Sequence, residues 1–229
     1  MGSRVDSDHV GFHRRRTSGA EPRAVSSRLS SISPGAQECT EKFHGHRSAV
    51  GPTAGEALYT GEAWYEELRE RYRPERLRYL LIAESPPDSG QGERRFFYSP
   101  VLTIDNLYRA VAEAVYGGEG VDIRNKPAVL ERLRADGFWL IDAVEHPINN
   151  LPSAARARTI RDAVPSLVSR CIDLSPERGT IICHAKVYSL AAQALRQTHV
   201  HVLHDEALPF PLGNFRTRFV EGFRRSLRP

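Results

Sequence analysis

A carboxylate, a double proline and three successive aromatic residues share one short stretch of this chain, LLIAESPPDSGQGERRFFY from Leu80 to Tyr98. The apolar run Leu80-Leu81-Ile82-Ala83 stops at Glu84-Ser85-Pro86-Pro87, the pattern of a buried strand running into a rigid polar loop. Each proline fixes its own φ at about −65° and disfavours helical conformation in the residue before it, so Glu84 and Ser85 stand on stiff backbone. A stiff loop at the carboxyl end of a strand is where open α/β sheets keep their ligand sites. The segment Asp88-Ser89-Gly90-Gln91-Gly92 then supplies flexibility before Phe96-Phe97-Tyr98. A carboxylate beside flat π-faces fits a planar, polar ligand such as a nucleobase. Core packing is the competing use of the same aromatics.

Three further strand-like runs end at residues able to do chemistry. Phe138-Trp139-Leu140-Ile141 ends at Asp142, and Thr180-Ile181-Ile182-Cys183 at His184. His199 to Leu203 ends at His204, ahead of the turn-rich Leu208-Pro209-Phe210-Pro211. In a parallel sheet the loops after every strand emerge on one edge, so Glu84, Asp142, His184 and the segment from His204 to Pro211 are expected around one crevice. Carboxylates and imidazoles gathered there are the groups that direct a water or move a proton.

The elements that must position them alternate in type. An amphipathic helix is expected from Glu56 to Tyr72, with Leu58, Trp64, Tyr65, Leu68 and Tyr72 on one stripe and Pro74 beyond its end. The first strand covers Arg78 to Ala83. Helices follow over Thr103 to Tyr116 and Lys126 to Arg134, the latter with Pro127 in its first turn, where proline is best tolerated. After the second strand comes a helix from Ala154 to Leu174, which Pro165 is expected to kink or divide. The third strand, a helix over Val187 to Arg196, the fourth strand and a last helix capped by Asn214 and running to Leu227 complete the pattern. Four short strands separated by helices predict a three-layer α/β/α fold around a central four-stranded parallel sheet.

Composition bounds the partners. The 229 residues suit one α/β domain, placed here over 56–229, with an extension. Residues 1–55 are expected to form a disordered basic tail, because Ser, Arg, Gly and His dominate and no period repeats. A net charge of +4 and a pI near 9.1 permit a nucleic-acid partner without requiring one. Cys39, Cys171 and Cys183 share no spacing, and Cys39 with His44 and His46 lacks a fourth ligand, so no metal and no cofactor are expected. An odd cysteine count and the lack of a long apolar run give the expectation of a reduced, cytoplasmic monomer away from membranes.

The order ESPP, FFY, a helix, a strand ending LID, a helix, a strand, and LPFP before a terminal helix resembles the uracil-DNA glycosylase superfamily. It is most similar to the branches whose first motif is Glu-x-Pro, and the resemblance covers residues 75 to 227. It implies hydrolysis of the N-glycosidic bond of a deaminated or damaged base flipped out of single- or double-stranded DNA, the first step of base excision repair. The implied water-directing group is Glu84, with Ser85 where many members carry a catalytic Asp or Asn. Pro86 completes the first loop, and Phe96, Phe97 and Tyr98 are the stacking candidates, Phe97 foremost. Asp142 takes the base-reading position, where the family has Asn, and His184, after the third strand, is a further base-binding candidate. An ionised carboxylate there accepts the base's N–H but donates to no carbonyl. Leu208, Pro209, Phe210 and Pro211 take the place of the DNA-gripping loop, which here lacks its histidine; His204 is the substitute.

Two other classes of function fit the same residues. One is a nucleic-acid-binding damage sensor that kept the pocket and lost turnover, consistent with Ser85 and Leu208 at motif positions. The other is a hydrolase of free nucleoside-like molecules, with Asp142 and His184 as acid–base groups.

Overall fold

The computed structural model describes residues 64–88, 95–102, 105–117 and 120–228. The expected tail over 1–55, with its Cys39, His44 and His46, lies outside them, as do the start of the first helix, the loop after Asp88 and the pair Thr103-Ile104.

Three strands form one parallel sheet: β1 (Tyr79–Ala83), β2 (Phe138–Asp142) and β3 (Gly179–Ile182), in the order β2-β1-β3. Tyr79 pairs with Phe138 and Ala83 with Asp142 on one side, and Leu80 with Thr180 on the other. Successive side chains of a strand point to opposite faces. Every residue of β2 and β3 is buried, so both faces of the sheet are covered. That is why these strands are almost continuously apolar instead of alternating.

Six α-helices are described: α1 (Trp64–Arg71), α2 (Asn106–Tyr116), α3 (Lys126–Ala135), α4 (Ser153–Leu174), α5 (Ala185–Gln197) and α6 (Arg216–Ser226). The chain moves one way along the sheet from β1 to β2, through α2 and α3, then back past β1 to β3 through α4. Right-handed crossovers put helices of opposite direction of travel on opposite faces. The observed partners agree, α2 packing on α6 and α4 on α5. The reversal makes the gap between the ends of β1 and β3 a topological switch point, which is where such sheets open a crevice.

Several expectations need correction. The fourth strand reduces to one bridge, Thr180 with Val202, held by Thr180 N–H to His201 O (2.7 Å) and Leu203 N–H to Thr180 O (2.9 Å). The cause is local at both ends. His199 turns through φ 63° on leaving α5, and the Ile182 N–H that a fourth strand's carbonyl would accept is taken by the His204 imidazole (Nε2, 2.9 Å). Pro165 does not divide its helix: α4 runs unbroken for 22 residues, with Pro165 on its exposed side. Asn214 does not cap the last helix, which is entered through a 3₁₀ turn at Gly213–Phe215 without a side-chain cap.

Candidate active site

The cleft at the switch point occupies about 410 Å³ and is lined from all three strand ends, by Ala83 and Glu84, Leu140 and Asp142, and Cys183 and His184. Its position follows from the sequence. β1 and β3 end where apolar residues give way to Glu84 and His184, and β2 ends in Asp142 itself.

Glu84 is held at its carbonyl and at one carboxylate oxygen. Its carbonyl accepts the Val144 N–H (3.0 Å), its carboxylate Oε2 accepts from Arg156 Nη2, and Pro86 and Pro87 follow it. Asp88, at the far end of that loop, receives Asn150 Nδ2 on its carboxylate and gives its N–H to Asn149 Oδ1 (3.2 Å), tying the β1 loop to the β2 loop. Ser85 and Pro86 also line the cleft. The stiff loop inferred from the double proline is thus braced from outside as well.

The three aromatics separate by role. Tyr98 turns away: its hydroxyl accepts the Leu140 N–H (2.6 Å) and donates to Leu140 O (3.3 Å), and its ring stacks on Tyr72 at 5.8 Å. Burial pushes its phenol well above the ordinary range, so it stays neutral. Phe96 and Phe97 face the cleft. Beneath them, Lys126 Nζ donates to Phe96 O (2.9 Å) and pairs with Asp105 Oδ2 (2.9 Å), while Asp105 Oδ1 caps α2 through the Tyr108 N–H (3.0 Å). Lys126 is 1% exposed and Asp105 5%. A buried ion pair therefore fixes the aromatic wall to the start of α2 and α3.

Asp142 is buried at the base of the cleft. Its Oδ2 accepts from Arg69 Nη2 at 2.5 Å, and Arg69 also pairs with Glu66. Burial raises its carboxyl to about 6, against the pull of the Arg69 guanidinium. Arg170 bonds the carbonyls of Asp142 and Ala143 (both 3.0 Å) and fixes the turn after β2.

His184 opens α5 without capping it and lies 5.8 Å from the Phe210 ring. Its Nδ1 is buried and has no hydrogen-bond partner among the described residues. Burial lowers its affinity for a proton, opposed by the nearby Glu84, so the imidazole is neutral near pH 7.

His204 is not part of this site. Nε2 accepts from Ile182 N–H and Nδ1 donates to Glu206 O (2.7 Å), which commits both nitrogens to holding the sheet edge. Of the Leu208 to Pro211 loop, only Phe210 reaches the cleft, joined by Leu212. Leu208 is buried against Gly222 of α6, and Leu208 and Pro209 line a separate depression next to that helix. Pro211 is buried outside the cleft.

Sequence reasoning missed Arg156, Arg69 and the Lys126–Asp105 pair. Arginines and lysines on amphipathic helices have the same local signature whether they face water or a buried carboxylate, so no signal marked them. Among the described residues no group of three or more His, Cys, Asp or Glu is placed to hold a metal ion, and no helix is long and apolar enough to cross a membrane. The chain matches no protein-family model, no curated protein and no solved structure.

Proposed function

We propose that this chain hydrolyses the N-glycosidic bond of a damaged or deaminated base flipped out of DNA, as a divergent glycosylase of the uracil-DNA glycosylase type. The observation that carries this reading is the convergence of Glu84, His184 and the Phe96-Phe97 wall on one cleft at the switch point of a parallel sheet. Such a cleft admits a planar base and presents, on its rim, groups suited to a water and a leaving base.

The chemistry assigns each a task. The base lies against Phe97, which gives it a π-face in place of its lost stacking neighbours. Glu84, through the oxygen that Arg156 does not hold, orients a water toward the sugar carbon as the C–N bond breaks and its electron pair leaves with the base, and takes that water's proton as the C–O bond forms. His184, kept neutral by burial, carries one N–H that donates a hydrogen bond to the leaving base as it becomes an anion, stabilising it without transferring the proton. Asp142 accepts an N–H from the base edge. Phe210 and Leu212, 39% and 61% exposed at the rim, are apolar side chains free to fill the gap that a flipped base leaves in the stack.

One observation favours the sensor reading instead. Arg156 occupies half of the carboxylate that would have to direct water. The two readings separate in a base-release assay on labelled oligonucleotides, single- and double-stranded, carrying uracil, hypoxanthine, xanthine or an oxidised pyrimidine, with alkali used to reveal abasic sites. Strand scission at any of these bases is expected. Tight binding without scission would replace the hydrolase by the sensor, and neither would end the DNA reading.

A further inference from the structure

The charges of the cleft are sorted by depth. Asp142 and Asp105 are buried in its lining, each with its own buried cation, Arg69 and Lys126. Glu84 is intermediate, its side chain 12% exposed. The cations nearest water are Arg95, which is exposed, and Arg156, whose side chain is 32% exposed. A ligand matching this order is uncharged and planar inside and anionic outside, which is the layout of a nucleotide and not of a nucleoside.

Arg156 lies in the first turn of α4, and its guanidinium spends one donor, Nη2, on Glu84. Among the described residues its side chain makes no other hydrogen bond or ion pair. A guanidinium has five N–H donors in a planar fork, and that fork matches a phosphate at least as well as a single carboxylate oxygen. The guanidinium is the more exposed member of the pair, so water and an incoming anion reach its remaining donors. A phosphate reaching the rim therefore competes for Arg156 on favourable terms.

We propose that Arg156 is a phosphate-reading latch on Glu84: it pairs with the carboxylate until a phosphate flanking the ligand's sugar draws the guanidinium away and leaves both carboxylate oxygens open to water. The inference rests on the hydrolytic reading for what Glu84 then does. It makes turnover conditional on a nucleotide being embedded in a charged strand, and it turns the feature that favoured the sensor into part of the hydrolase. Because the carboxylate and the phosphate compete for one guanidinium, the coupling is reciprocal: weakening either partner strengthens the hold of the other.

The test measures affinities of the full-length protein for two DNA pentamers with a central uracil or hypoxanthine, one with ordinary phosphodiesters and one with neutral methylphosphonates flanking that base. The wild type is expected to bind the charged strand about tenfold tighter, the scale of one charge-assisted fork contact. Arg156→Gln should reduce that ratio severalfold, to what Arg95 alone sustains, and Arg156→Lys, which keeps charge but loses the fork, should fall between. Glu84→Gln should widen the ratio, since the guanidinium is released to the phosphate, and the widening should vanish when Arg156→Gln is added, which simple loss of a negative charge would not give. Equal or absent affinity for both strands, or a ratio that Arg156→Gln leaves intact, overturns the latch. Base release measured alongside keeps the two ideas apart, because the affinity pattern without release sinks the hydrolase and spares the latch.

Discussion

Lys126→Met removes a cation buried beneath the aromatic wall, and its cost can be worked out from the contacts. The ammonium is 1% exposed, bonds Asp105 Oδ2 and Phe96 O at 2.9 Å each, and lies 4.7 Å from the Tyr108 ring centroid. Burial lowers its pKa, an effect that Asp105 opposes. Methionine fills nearly the same space, so little of the loss is cavity. What remains is a stranded carboxylate, since the Phe96 carbonyl keeps the Ser99 N–H (3.0 Å). Breaking a buried pair by removing one partner costs about 3–5 kcal/mol. Asp105→Asn in the same chain removes the stranded charge while keeping an oxygen for the Tyr108 N–H, so the double variant should recover about half of that loss. Urea denaturation of the wild type, both single variants and the double variant gives all four values of the cycle. A loss under about 1 kcal/mol for Lys126→Met, or a double variant whose loss equals the sum of the singles, would refute the claim that this pair anchors the wall.

Asp142 makes stability fall as pH rises. Its carboxyl is raised from the ordinary 3.8 to about 6 by burial, so the folded protein binds that proton more tightly than the unfolded chain. Its stabilising share is complete below about pH 4 and is lost as pH passes about 6, a span of about 3 kcal/mol. Asp142→Asn should flatten that part of the stability–pH curve; an unchanged slope between pH 4 and 6.5 assigns it to other groups. His204→Ala leaves the Ile182 N–H without an acceptor and should cost about 1–3 kcal/mol in urea denaturation, while affinity at the cleft in the folded protein stays the same. A large loss of affinity with little loss of stability would return His204 to the site.

How much the sequence reveals differs from element to element. β1, β2 and β3 were legible because each is a short β-rich run between turn-forming residues, and their parallel pairing follows from the intervening helices. The cleft was legible for a related reason: Glu84, Asp142 and His184 each stand where an apolar run ends, and parallel pairing gathers strand ends. His199 to Leu203 was misleading because its alternation is genuine, but the rung it lacks is supplied by a side chain, the His204 imidazole, and no periodicity records that. Tyr98 was inseparable from Phe96 and Phe97 in the sequence. Only the pleat of the neighbouring strand decides that its hydroxyl meets Leu140. The buried cations Arg69 and Lys126 were invisible, because their partners stand 73 and 21 residues away in the chain.

The central claim is that Glu84 directs the attacking water, and its most direct test is single-turnover base release by wild type and Glu84→Gln at saturating enzyme, with strand affinity measured on the same samples. The expected result is release by the wild type and a loss of about a hundredfold or more in Glu84→Gln, the scale of a positioned acid–base group, with affinity equal to or tighter than that of the wild type. Equal release rates in the two proteins, or a parallel collapse of affinity and rate, would contradict it.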